Sequence, residues 1–163
     1  MSPRRILPLL LIVVVLAGGA KAAMIELPLE AVAIKAVDIV QGEVIAQTSD
    51  WAYGNRTIVT DVTIRVDEAF KGGLFSGDVV TVRVEGGEVD DVGIWVEHQP
   101  RFLDSERVVL FLTPDRLGIR TIQSLEQGKY TVFADQTYDY CGRRLPLQEL
   151  KNRVRLQVDG TER

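Results

Sequence analysis

Apolar and polar residues alternate most cleanly between Ile58 and Asp67, where Ile58, Thr60, Val62, Ile64 and Val66 interleave with Val59, Asp61, Thr63, Arg65 and Asp67. A period of two places the first set on one face of a β-strand and leaves the second set wet. The phase breaks at Glu68-Ala69-Phe70, which predicts a bulge, and Lys71-Gly72-Gly73 closes the element. Val80, Val82 and Val84 alternate with Thr81, Arg83 and Glu85 in a second strand of the same kind. Upstream, Asp38 to Gln47 reads as a strand with Val40, Gly42, Val44 and Ala46 on one face. A glycine weakens a strand, so Gly42 predicts a bend, a bulge or a close crossing. Ser49 to Asn55, which carries Trp51 and Tyr53, reads as a turn-rich connection.

Val108 to Leu112 is continuously apolar and predicts a strand covered on both faces, ended by Thr113-Pro114-Asp115. Gly118–Gln123 and Lys129–Ala134 predict a hairpin around Leu125-Glu126-Gln127-Gly128. Gly86 to Asp91 reads as an acidic loop and Gly93 to Glu97 as a short strand. His98 to Phe102 should be irregular, because Pro100 drives its predecessor out of the helical region. Two helical stripes flank the strands. Leu29, Val32, Ala33 and Ala36 share one helix face, and Pro146 opens a helix with Leu147, Leu150, Val154 and Val158 along one side. The expected fold is mainly β: a small antiparallel OB-like barrel of about six strands with a short N-terminal helix and a C-terminal helix. Gly42 and the long first strands favour a barrel over a sandwich.

The N-terminus alters the address rather than the fold. Arg4 and Arg5 precede an apolar run from Ile6 to Leu16, and small residues at Ala20 and Ala22 follow. That order predicts a secretory signal peptide over residues 1–22, cleaved after Ala22. The run falls short of the roughly 20 residues of a membrane span, and Pro8 interrupts it. The lone cysteine, Cys141, is far from the cleavage point, so no lipid acceptor stands there. The division expected is signal peptide 1–22, leader and short helix 23–37, and one domain over 38–163. The signal holds three of the 19 basic residues and no acid, which leaves 16 against 23 acidic side chains, a formal charge of −7. Such a chain is a poor partner for nucleic acid or an anionic membrane.

Candidate chemistry is sparse. One His and one Cys fall short of a zinc ligand set. Cys141 cannot pair internally and is expected as a buried small side chain or a free thiol; a thiol hydrolase would join it to His98, and a carboxylate version would use Asp90 and Glu97. Glu85, Glu88, Asp90, Asp91 and Glu97 offer oxygen atoms for calcium without the order of a dedicated loop, so a solvated acidic loop is the simpler expectation. Trp51, Tyr53 and Trp95 are large rings in or beside loops, suited to a sugar-, peptide- or protein-binding patch or to burial. Arg143, Arg144, Lys151, Arg153 and Arg155 make a basic C-terminal stretch, read as ordinary helix surface or a docking face for an acidic partner.

Asp38-Ile39-Val40-Gln41-Gly42-Glu43-Val44, then Val66-Asp67-Glu68-Ala69-Phe70-Lys71-Gly72, then Gly77-Asp78-Val79-Val80-Thr81-Val82 resemble the OB-type barrel of netrin-like and metalloproteinase-inhibitor-like domains. These domains also occur in secreted bacterial proteins, and the similarity spans about Asp38 to Phe133. It implies a binding module. The inhibitor members chelate a protease metal with an N-terminal cysteine held by disulfides, whereas the expected mature start here is Ala23-Met24-Ile25-Glu26. No functional residue carries over.

The expectation is thus a secreted or periplasmic, non-catalytic module without cofactor. Its partner would be a protein, such as a secreted protease or envelope protein, or another extended ligand, met through Trp51, Tyr53, Glu88, Asp90, Asp91 and Trp95. A small secreted hydrolase and a structural envelope protein are the alternatives.

Overall fold

The computed structural model describes residues 25–161, so the expected signal peptide, residues 1–22, lies outside the described residues. The chain is mainly β. Helix α1 (Leu29–Lys35) leads into β1 (Asp38–Ala52), β2 (Thr57–Lys71) and β3 (Val79–Glu85). A small hairpin follows, β4 (Gly87–Val89) and β5 (Val92–Ile94), then β6 (Arg107–Pro114) and β7 (Arg120–Ile122). A 3-10 turn at Leu125–Gly128 precedes β8 (Lys129–Phe133), β9 (Gln136–Tyr138), β10 (Arg144–Pro146) and helix α2 (Leu147–Thr161).

Eight strands form one mixed sheet in the order β1-β2-β3-β7-β6-β8-β9-β10, and β1 pairs with β6 as well. Every pairing is antiparallel except β3 with β7, through Arg83 and Thr121. The expectation of about six strands, all antiparallel, is corrected on both counts. Three-residue strands are too short to show a period, and a parallel pairing leaves no mark on the strands it joins.

Burial follows the alternation with two corrections: Val59, expected on the wet face of β2, is buried, and Ala46 is exposed, because the register slips between Val44 and Ala46 and brings Gln47 instead onto the face of Val44. Val40, Val62, Ile64, Val66, Val80, Val82, Val84, Val108, Leu110 and Leu112 build one apolar cluster. Ile39, Val109 and Phe111, of opposite parity, join Leu29, Val32, Leu150 and Val154 in a second cluster beneath the two helices. This is why β6 reads as unbroken grease: one face meets the first cluster and the other meets the helices. Gly42 is a close crossing, since a Cβ there would lie 2.4 Å from the Arg65 carbonyl oxygen. The register slips beside it, between Gln41 and Gly42, leaving Asp67 unpaired in the ladder.

Three further corrections concern local reach. β1 runs on through Trp51 to Ala52, paired with Thr57, so the turn shrinks to Tyr53–Arg56, where Tyr53, Gly54 and Asn55 all have positive φ. Gly86 to Asp91 is no plain loop: β4 pairs with β5 across a two-residue turn at Asp90-Asp91. The hairpin of β7 with β8 does not form. Both lie along the same edge of β6, β7 against Leu112–Pro114 and β8 against Val108–Leu110, with Leu125–Gly128 carrying the chain between them. Pairing with β6 places Ile122 of β7 beside Leu112 in the first apolar cluster and Val132 of β8 in the second, burial that neither strand signals locally.

Candidate functional site

A concavity lies where the first apolar cluster gives way to polar groups. Gln47 and Thr60 share the register face of Val62 and Val84, but at the end of the sheet that the β4–β5 hairpin overlies. Thr60 Oγ1 donates to the Gly86 carbonyl at 2.7 Å and lies 2.9 Å from Ser49 Oγ, tying the hairpin to β1 and β2. A Cβ on Gly87 would meet Thr60 Oγ1 at 2.4 Å and Ser49 Oγ at 2.6 Å, so glycine is what lets β4 sit this close.

Between the hairpin and the segment 95–102 opens a cleft of about 530 Å³, lined by Gln47, Thr60, Glu88, Trp95, Gln99 and Arg101 among others. The Arg101 guanidinium stacks on the Trp95 ring, 3.6 Å from its centre, while Trp95 stays 67% exposed. A cation held over an indole is an attractive contact worth about 0.5–1 kcal/mol at an exposed site. On the far side of this stack a second cleft of about 230 Å³ continues, bordered by the same Trp95, Gln99 and Arg101 together with His98, Glu126 and Tyr140. Trp95 and Arg101 thus form a ridge shared by two concavities.

The ridge is fixed from below. The His98 carbonyl accepts from the Glu126 amide at 3.0 Å, and His98 Nδ1 lies 3.0 Å from Glu126 Oε1. Glu97 reaches His98 Nε2 at 3.7 Å. Behind the segment, Phe102 is buried in the first cluster and Lys129 Nζ lies 5.0 Å from its ring. Lys129 pairs with Glu106 at 2.7 Å, and the same carboxylate accepts from Thr131 Oγ1 and the Leu103 amide.

Of the residues singled out from sequence, Glu88 and Trp95 line the larger cleft. Asp90 and Asp91 form the tip of the β4–β5 hairpin. Trp51 sits opposite Ile58 near the end of β1, and Tyr53 is exposed in the turn beyond it; neither lines the cleft. Gln47, Thr60, Gln99 and Arg101 were missed. Thr60 did carry a signal, being a polar residue in the apolar phase of β2, but Arg101 becomes notable only through its contact with Trp95.

Cys141 is a free, exposed thiol in the turn between β9 and β10, so of its two expected states the buried side chain is the one corrected. Asp139 holds that turn, accepting from the amides of Cys141 and Arg143 at 2.9 Å and from Arg143 Nε at 2.7 Å. Polar bonds rather than apolar packing hold the turn, and the thiol stays at the surface. His98 faces Glu97 and Glu126 rather than Cys141. Asp90 belongs to the hairpin tip, whereas Glu97 flanks His98. Among the described residues no three His, Cys, Asp or Glu side chains gather as a metal site. The basic side chains of α2 meet acids of the same chain: Lys151 and Arg155 bind Glu68, and Arg153 binds Glu30. Among the described residues no helix is long and apolar enough to cross a membrane. No protein-family model matches the chain, and no curated protein matches it significantly.

Proposed function

We propose that this chain is an exported, non-catalytic binding module on an OB-like barrel, taking a protein or other extended ligand across the Trp95–Arg101 ridge. The barrel reading is supported by the circuit of pairings β1–β2–β3–β7–β6, which returns to β1 through Asp38–Glu43 against Arg107–Leu112. A barrel closed by that circuit would enclose an apolar core such as the first cluster. The exported address rests on the signal-like pattern of residues 1–22.

The observation that carries the binding reading is the pair of clefts meeting at one exposed aromatic and its stacked guanidinium. An exposed tryptophan and an arginine at the centre of a concave surface are the residue types that dominate binding energy. Flanking amides of Gln47 and Gln99 supply directional hydrogen bonding. Immobilised chain should retain a partner from the soluble envelope or extracellular fraction of its host, and Trp95→Ala should lose it while melting at the wild-type temperature. Enrichment of nothing above a control with scrambled surface residues, or full retention by Trp95→Ala, defeats the reading.

A further inference from the structure

The β4–β5 hairpin carries an open edge. Its two-residue turn closes on the hydrogen-bonded pair Val89–Val92, so by the alternation of antiparallel ladders Glu88–Gly93 is the non-bonded pair and Gly87–Ile94 the next bonded one. The amide and carbonyl of Gly93 therefore point away from β4, to the outer side of β5. Gly93 is exposed, lines the larger cleft, and has nothing within 4 Å of where a Cβ would stand. A bare glycine with its backbone groups turned outward is what close approach by a second backbone needs. Trp95, two residues on, presents its ring beside this edge in the same cleft.

Charge narrows the occupant. Glu88, opposite Gly93 in the register, and Glu85 both line the cleft and outnumber the one cation among its described lining residues, Arg101. Two copies pairing through β5 would bring Glu88, Asp90 and Asp91 of each against the other. Resting on the reading of the cleft as the ligand site, we propose that β5 is a docking edge for an extended, cationic peptide segment of a partner protein. The segment adds as a strand to β5 at Gly93, with basic side chains toward Glu85 and Glu88. Main-chain hydrogen bonds supply affinity and the flanking side chains supply selection, as in other strand additions.

The test uses fluorescence polarisation with the full chain and pools of linear hexapeptides carrying Lys at alternate positions. Comparison pools carry Glu at those positions, or Lys with one or the other set of alternate amides N-methylated. The Lys pool should bind at least tenfold tighter than the Glu pool, and one of the two N-methylated sets should weaken binding at least tenfold. Gly93→Pro, which deletes the outward amide of an edge residue, should match that loss. Should Gly93→Pro fail to fold, the N-methylated peptides decide alone. Equal binding of Glu and Lys pools, indifference to both N-methylated sets, no binding by any pool, or sedimentation as a dimer masking β5 overturns the proposal. If Trp95→Ala abolishes binding while N-methylation leaves it intact, strand addition falls and the cleft reading stands. If binding ignores both Trp95→Ala and Gly93→Pro, both fall.

Discussion

The carboxylate of Glu106 is the most informative side chain to remove, because three donors converge on it behind the ridge. Lys129 Nζ lies 2.7 Å away, Thr131 Oγ1 2.5 Å and the Leu103 amide 3.0 Å. The side chains of Lys129 and Glu106 are only 12% and 8% exposed. Glu106→Ala would leave the ammonium with Thr131 Oγ1 at 3.2 Å and the Phe102 ring at 5.0 Å as its remaining company. Breaking one member of a buried ion pair costs about 3–5 kcal/mol, since the other charge stays desolvated. Some water reaches Lys129, so the lower end applies, about 3 kcal/mol. Each kcal/mol moves the midpoint of a domain of this size by about 3.5 °C, giving a drop of about 10 °C. The assay is urea and thermal unfolding followed by tryptophan fluorescence, for Glu106→Ala and for Glu106→Met with Lys129→Leu. The double replacement removes both charges and should recover most of the loss. A cost for Glu106→Ala below about 1 kcal/mol, or a double variant less stable than Glu106→Ala, would refute the reasoning.

Leu150→Ala, at a fully buried position of α2, should cost about 2–5 kcal/mol in urea unfolding without changing peptide or partner binding, because the second cluster lies on the other face of the sheet. Burial raises the Glu30 carboxyl, but its backbone hydrogen bond and Arg153 outweigh this and hold it below the ordinary carboxylate range. A depressed folded value means stability present above the unfolded value and lost as pH falls through the folded one. Melting curves from pH 6 down to pH 3 should therefore fall less steeply for Glu30→Gln than for wild type, and parallel curves would contradict this. Tyr130 is pushed up to about 12, chiefly by burial and then by the charge of Asp139. Its contribution is full below pH 10 and fades as pH rises through about 12. Absorbance at 295 nm should show a late phenol that Tyr130→Phe abolishes, and a single ionisation step near pH 10 would exclude it.

What the chain announced by itself was the set of elements whose burial is one-sided and local. The alternation in β2 and β3, the unbroken grease of β6 and the stripes of α1 and α2 each record which face meets the core, and apart from Val59 of β2, buried where the alternation had it wet, their residues are buried accordingly. Gly42 was legible as a close crossing because a strand gives up its side chain only for a reason. Tertiary structure alone decided who pairs with whom. β7 and β8 are adjacent in sequence and turn-linked, yet β6 claims both, through contacts that no local period encodes. The same holds for the site. Trp95 was visible as a lone ring, but its meaning comes from Arg101 above it, Gly93 beside it and Gln47 and Thr60 across the cleft, brought together from four parts of the chain. Periodicity reports the dielectric on either side of a strand, whereas a binding surface is made of long-range neighbours, and these exist only once the chain has folded.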